Sequence, residues 1–335
     1  MKGRTGVLLI NLGTPDSPKV GDVRSYLFQF LNDPRVIDIP KLLRFLLVNF
    51  IIVPFRAPNS SKIYKKLWTD EGSPLLLISE NVARKLDNEL GADYDVHLAM
   101  RYKNPNIVDV LGKMKKENYS RIIVLTMFPQ YASASTGSAY ELVMDTVKKW
   151  WVIPEIRFVG QYFDHPDFIA AIVDRASKYT LSDYDHILFS YHGLPVRQVD
   201  KVYNDGLCDD RDCEHELTEE NQYCYKATCY ATTRLIAAQL QLKPEQYTVC
   251  FQSRLNKNWI EPFSDKVVEE KAKQGAKKLL IFSPAFTADC LETIIEIGDE
   301  YQEIFEANGG EKVQLVESLN EHPRWIQCLK SLVLS

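Results

Sequence analysis

Two stretches of this chain carry side chains that could do chemistry at the end of a buried strand. In Leu188-Phe189-Ser190-Tyr191-His192-Gly193-Leu194-Pro195, an apolar run that opens at His186 reads as a parallel strand, and the Gly and Pro behind it turn the backbone sharply. His192 therefore falls at a strand's carboxyl end, the edge where open α/β sheets bind ligands. Further on, Leu279-Leu280-Ile281-Phe282-Ser283-Pro284 repeats the pattern, and Asp289 and Glu292 follow at the opening of a helix. Asp289, Glu292, Glu296, Asp299 or Glu300, and Glu303 recur at intervals of three and four and share one helix face. A solvated acidic surface is the plain meaning of such a face. A row of carboxylates that meets an imidazole can also bind a divalent cation and carry protons away.

The second chemical feature is Cys208-x4-Cys213-x10-Cys224-x4-Cys229, four thiols in a polar segment with little apolar content. Burial alone could hardly hold such a loop, and a metal centre would supply the missing constraint. Zinc and a [2Fe-2S] cluster both accept four thiolates, and the spacing does not separate them. The total of seven cysteines is odd, which favours metal ligation or buried thiols over a disulfide framework. Cys250, on a strand, and Cys328, on the last helix, read as core residues.

The elements that would position these groups alternate along the chain. Gly6 to Pro15 is an apolar strand ended by Gly13 and Pro15, and Asp22 to Leu31 reads as a helix capped by Asp22. Further strands are expected at Tyr94 to Met100 and Arg121 to Phe128. A small hydroxyl-rich loop, Ser133 to Ser138, then precedes a helix from Ala139 to Trp150 and could cradle an anion on its backbone N–H groups. After Pro154 the pattern restarts, with strands near Arg157 to Gly160, His186 to Tyr191, Tyr247 to Gln252 and Lys278 to Ser283, and a short one at Val313 to Val316. Helices are expected at Pro166 to Lys178, Ala231 to Gln241 and Ser264 to Gln274. The fold class is α/β, with two Rossmann-like domains, 1–150 and 151–335, each a parallel sheet flanked by helices. The site is expected in the cleft between them, and the helix after Pro323 is expected to return toward the first domain.

Leu42 to Phe55 is the most apolar stretch, yet Arg44, Asn49 and Pro54 interrupt it and it falls short of the roughly 20 residues that span a bilayer. It reads as a buried helix or as an apolar lip, 42–56, over a pocket or against a membrane face. The 335 residues carry a net charge of -5, so no basic field invites nucleic acid. Met1 to Thr5 shows no secretory pattern, and the expected location is the cytoplasm, with peripheral contact to the inner membrane face.

On these residues the chain resembles the ferrochelatases. The matching motifs are Asn11-Leu12-Gly13-Thr14-Pro15, Pro129-Gln130-Tyr131, Ser190 to Pro195, Phe251-Gln252-Ser253-Arg254 and Ala285 to Thr293. The resemblance implies a lyase that inserts Fe2+ into protoporphyrin IX to give protohaem, the last step of haem biosynthesis, by ring distortion and proton abstraction. It implies His192 and Glu292 as the catalytic pair with Asp289 as neighbour, and Glu296 and Glu300 as further acids toward the Fe2+ substrate. Arg56, Tyr64, Ser73, Arg101, Tyr102, Trp259 and Phe286 fall where the family encloses the macrocycle. Ser133 stands where relatives with a carboxyl-terminal cysteine extension have a thiol. The insert, 205–229, is similar to the variant with an internal [2Fe-2S] cluster on Cys208, Cys213, Cys224 and Cys229, with Zn2+ as the alternative. A coproporphyrin ferrochelatase and a non-catalytic tetrapyrrole carrier are the competing readings.

Overall fold

The computed structural model describes residues 3–335, so Met1 and Lys2 of the amino-terminal pattern lie outside the described residues. The chain forms two compact units, one running up to Gly160 and taking in Leu329–Ser335, the other Gln161–Cys328. Each is built on a parallel four-stranded sheet. The first contains β1 (Thr5–Gly13), β2 (Tyr94–Tyr102), β3 (Arg121–Thr126) and β4 (Glu155–Phe158), in the order β2-β1-β3-β4. The second contains β5 (His186–His192), β6 (Tyr247–Gln252), β7 (Lys278–Phe282) and β8 (Lys312–Leu315), in the order β6-β5-β7-β8. The two sheets are wound alike. Helices bury the central strands, which is why Val7 to Ile10 and Leu279 to Ile281 are unbroken apolar runs with no exposed surface.

This winding fixes where ligands can enter. Connections leave the adjacent strands β1 and β3, and likewise β5 and β7, toward opposite edges of their sheets, so the crevice of each sheet is expected at the carboxyl ends of those two strands. At the first of these ends only glycine fits. Gly13 has φ 110°, and a Cβ there would lie 2.0 Å from the Tyr102 carbonyl oxygen.

Three expectations are corrected. The strand near Arg157 does not open the second half, because Glu155 to Phe158 pair with Arg121 to Val124 and Ile156 and Phe158 pack on the first core. The boundary accordingly falls at Gly160 rather than at residue 150. Asp22 is not the cap of the first helix, Val20–Leu31; it lies in the first turn and accepts a hydrogen bond from Ser17 Oγ. The apolar stretch is not cut at Pro54, since one helical run of 27 residues, Lys41–Leu67, is long and apolar enough by length and composition to cross a membrane. A π-helical turn, Leu47–Ile52, precedes Pro54, which stands at the start of the α-helical segment Val53–Leu67, where a missing N–H costs little. Leu42, Leu43, Phe50, Ile51 and Phe55 of this run are exposed. At the other end of the chain, Leu332 and Val333 of the last helix, Pro323–Leu334, receive hydrogen bonds from Arg157 at 2.8 and 2.9 Å.

His186 opens β5 buried, with Nε2 2.9 Å from Thr248 Oγ1, and burial lowers its pKa from 6.5 to about 4. The unfolded chain takes up this proton near pH 6.5, the folded chain only near pH 4. The associated stability is complete above pH 6.5 and is lost as the pH falls toward 4, a change of about 3 kcal/mol. Denaturant titrations across this window should show a flatter pH dependence for His186→Gln; an unchanged slope would show that His186 has no part in it.

Candidate functional site

His192 is the last residue of β5 and is half-buried. Its Nδ1 lies 2.7 Å from the Gly193 carbonyl oxygen. A carbonyl only accepts, so Nδ1 carries the hydrogen and Nε2 keeps its lone pair, the arrangement of a base. The rings of Trp259 and Phe286 flank the imidazole, each centroid 6.3 Å away. Gly193 makes this corner possible. Its N–H donates to the Gln252 carbonyl at 2.8 Å, and a Cβ would stand 2.8 Å from that oxygen and 3.2 Å from the Trp259 ring. Trp259 is held by pairing of 194–196 with 258–260, through Ile260 N to Leu194 O and Val196 N to Asn258 O.

The acids follow β7, the neighbour of β5. They are carried by a π-helix, Glu292–Glu300, that continues as the α-helix Tyr301–Ala307. Its i→i+5 bonds add a residue to each turn, so the expected α-helical face beginning at Asp289 is replaced by a different one. Asp289 lies ahead of the helix. Its carboxylate accepts from Ser318 N at 3.1 Å, Thr293 Oγ1 at 3.3 Å and Asn320 Nδ2 at 2.6 Å, and so ties this corner to the 318–320 loop. Glu292 is half-buried beside the buried Cys290, whose thiol is pushed well up by burial first and by Glu292 second. Glu296 accepts from Ser253 N at 2.8 Å, Ser253 Oγ, Tyr301 Oη at 3.2 Å and Gln252 Nε2 at 3.3 Å. Burial and then Glu296 push the Tyr301 hydroxyl far up, so it stays a donor. Glu300 is exposed. His192, Trp259, Phe286, Glu292 and Glu296 thus gather at one end of the second sheet, whereas Asp289 is occupied in holding the turn.

In the first unit, the residue that sequence reasoning missed is Asp33. Its Oδ2 accepts from Arg101 Nη2 and Ser138 Oγ, both at 2.5 Å, and from Tyr102 Oη at 2.9 Å, while Oδ1 accepts from Arg35 N at 2.8 Å. Asp33 follows a helix end in sequence, and no spacing linked it to these partners. Arg101 keeps some exposure and stacks 4.6 Å over the Tyr102 ring; Tyr102 is buried, and burial followed by Asp33 drives its pKa up. Ser73 is buried and donates to Thr14 Oγ1 at 2.9 Å, Tyr64 packs edge-on against Tyr26 and Trp68, and Arg56 is exposed. The expected anion loop is a π-helical turn, Ser133–Gly137, running into the helix Ser138–Val147; Ser133 Oγ accepts from Arg35.

Of the expected four-thiol set, three come together. Cys208, Cys213 and Cys224 are buried with Sγ atoms 3.6, 3.7 and 3.8 Å apart. Hydrogen bonds from Cys208 and then Cys224 lower the Cys213 thiol, and the same bond raises Cys208. Cys229, inside the helix Tyr225–Gln239, stands outside this group, fully buried and pushed well up by burial. A [2Fe-2S] cluster requires four thiolates shared between two irons. The structure brings three of these thiols into mutual contact, and Cys229 is not among them. Cys250 and Cys328 are buried, as expected of core residues.

Two like-wound parallel sheets, the second with a histidine and carboxylates at its strand ends, form a fold that solved structures share. SirB from Bacillus subtilis with Fe3+ shares it at 11% identity, TM-score 0.54, over 99% of this chain and 94% of that one. The sirohydrochlorin chelatase SirB from Bacillus subtilis subspecies spizizenii in complex with cobalt does so at 10% identity and the same TM-score and coverage. More narrowly, the ferrochelatase family profile matches residues 4–335. Ferrochelatases from Legionella pneumophila (strain Lens) and Coxiella burnetii (strain Dugway 5J108-111) are each 42% identical, over 98% of this chain and 98% and 93% of their own. The chain belongs to the ferrochelatase family, and with it to the metal chelatases.

Asp33→Ala would take the carboxylate from Arg101 Nη2 and the Tyr102 hydroxyl, leaving Arg101 its Nε bonds to Ser138, at an expected cost of about 3–5 kcal/mol in denaturant unfolding. Asp33→Asn keeps an acceptor oxygen and should lose less. A loss below about 0.5 kcal/mol in the alanine variant would show that the hub is dispensable.

Proposed function

We propose that this chain inserts Fe2+ into protoporphyrin IX, giving protohaem in a lyase reaction that closes haem synthesis. The observation that carries the reading is His192, whose Nδ1–H bond to Gly193 leaves the Nε2 lone pair, with the rings of Trp259 and Phe286 nearby and the half-buried Glu292 and Glu296 on the helix that follows the neighbouring strand β7. Insertion replaces two pyrrole N–H protons by one Fe2+, so two protons must leave as the four ring nitrogens bind the iron and the iron sheds water. Nε2 of His192 takes the first proton from a pyrrole nitrogen. Glu292, half-buried next along the same strand ends, receives protons and faces the incoming cation, and the exposed Glu300 passes them to water. Glu296 already has four protein donors on its carboxylate, so in this mechanism it fixes the helix that carries the other two acids. Trp259 and Phe286 offer apolar faces that suit a flat macrocycle.

The choice of protoporphyrin over the more acidic coproporphyrin rests on the exposed apolar residues Leu42, Leu43, Phe50, Ile51 and Phe55. These suit a poorly soluble substrate taken from a lipid surface, and peripheral membrane contact on the cytoplasmic side is part of the reading. Phe50→Ser with Phe55→Ser should reduce sedimentation with lipid vesicles; equal binding would remove the lip from this role.

An anaerobic assay with Fe2+ and each porphyrin tests the reaction. Faster turnover of protoporphyrin IX is expected, with a loss of roughly 10²–10⁴-fold in His192→Ala and no loss of fold by circular dichroism. Faster coproporphyrin turnover would reverse the substrate choice. Porphyrin binding with no turnover would make the chain a carrier, and near-normal rates in His192→Ala would remove the base.

A further inference from the structure

A small cavity lies at the carboxyl ends of β7 and β8, inside the second unit, and the proposed mechanism makes no use of it. Its walls are Ile172 and Arg175, one turn apart on the helix Pro166–Ala176, then Phe282, Ser283 and Phe286 behind β7, and 316–319 behind β8. A volume of about 20 Å³ is open to the centre of a water-sized ligand, where about 10–15 Å³ holds one. That is room for a water or a single-atom ion and too little for the four oxygens of phosphate or sulfate.

Three donors on the residues that line this cavity have no partner in the protein. Ser283 Oγ, Ser318 Oγ and Arg175 Nε are each buried without a hydrogen bond, and the two serines are only 8% and 7% exposed. The guanidinium cannot turn to satisfy itself, because Glu317 Oε2 holds Nη1 at 2.6 Å and the Leu319 carbonyl holds Nη2 at 2.7 Å. Buried donors are costly to leave unmade, and three that border one cavity call for a shared acceptor. The surrounding charge selects its kind. Arg175, Lys178 and Arg324 stand against two carboxylates, Glu317 and Asp174. Glu317, the one acid among the described residues that line the cavity, is spent on Arg175 and Lys178. His322, whose N–H donates to the Leu319 carbonyl at 2.9 Å, is lowered from its ordinary pKa by burial first and by Arg175 next. A positive surplus with unmatched donors favours an anion over a neutral acceptor.

We propose that this cavity binds one monatomic anion of the chloride class, held by Arg175 Nε–H and the hydroxyls of Ser283 and Ser318. The ion bears on the site around His192 without entering the reaction. Phe286, whose ring flanks the imidazole, lines the cavity, and its N–H donates to the Ser283 carbonyl at 3.0 Å. Ser318 N holds the Asp289 carboxylate at 3.1 Å. A bound anion therefore stiffens the two loops, 283–286 and 316–319, that set Phe286 and Asp289. The proposal does not depend on the chelatase reading, because its readouts are ion binding and melting temperature and not turnover.

Thermal unfolding of the full chain, with fluoride replaced by bromide at constant ionic strength, should show a saturable rise in melting temperature of about 2 °C. Ser283→Ala combined with Ser318→Ala should abolish the rise. Arg175→Lys keeps the charge toward Glu317 but removes the Nε donor, and should lose most of it. Crystals of the unmodified protein grown in bromide should show an anomalous scattering peak in the cavity, an arm that does not rely on variants that fail to fold. A rise that persists unchanged in the double variant would mean an adventitious ion only and would overturn the proposal. No rise over fluoride, or a cavity that holds water with no bromide signal, would overturn it too.

Discussion

Ser253 ties the second unit's site together. It follows β6 at φ 61°, a left-handed conformation unusual for a residue with a side chain, and there both its N–H and its hydroxyl reach Glu296. Gln252, the residue before it, stands opposite His192 in the parallel register and also reaches Glu296. One carboxylate thereby locks the acidic helix to the end of the strand that neighbours His192. Backbone strain of this kind persists only where the surroundings over-determine it, and four donors on one carboxylate are such surroundings. Without that lock, the turn that carries Glu292 would keep the hydrogen bonds of Asp289 and the bond from Cys290 N to Thr293 Oγ1, neither of which reaches β6.

The division of labour among the acids follows from the same geometry. Asp289 and Glu296 have their oxygens filled by donors from the 318–320 loop and from β6, and their energy goes into fixing the backbone. Glu292 lies between these anchors, half-buried, and is the acid to which the proposed mechanism gives the substrate-facing role. A row of acids in a sequence is therefore two kinds of residue once folded. Position along the row does not tell them apart; the identity of the facing donors does.

The first unit uses the same winding for a different purpose. Its strand ends carry Arg101 and Tyr102 in place of an imidazole, and the buried Asp33 gathers them with Ser138 into one hydrogen-bonded hub. Buried charge of this kind is tolerated because it is paired and fully bonded. The exposed helix Lys41–Leu67 rises after the carboxyl end of β1, and its π-helical turn ahead of Pro54 lets an apolar run continue where an α-helix alone would have broken.

Much of this was legible in the chain, for physical reasons that are local. Buried parallel strands must be apolar throughout, so β5, β6 and β7 could be located to within a residue or two, and the Gly and Pro behind His192 marked a strand end. The converse holds for Glu155 to Phe158, whose apolar pattern says it is a strand but not which sheet accepts it. Asp33 was invisible because its partners come from β2 and from the helix after β3, and pairing across such distances leaves no local pattern. Cysteine spacing grouped four thiols, yet spacing counts residues, and only the fold shows that Cys208, Cys213 and Cys224 are the three in mutual contact. Residue types and their periods therefore determined the strands, the imidazole at the strand end and the supply of acids and thiols. Tertiary structure alone decided which of those groups are held by neighbours and which are left to act, because a hydrogen bond is satisfied by proximity in space and not in sequence.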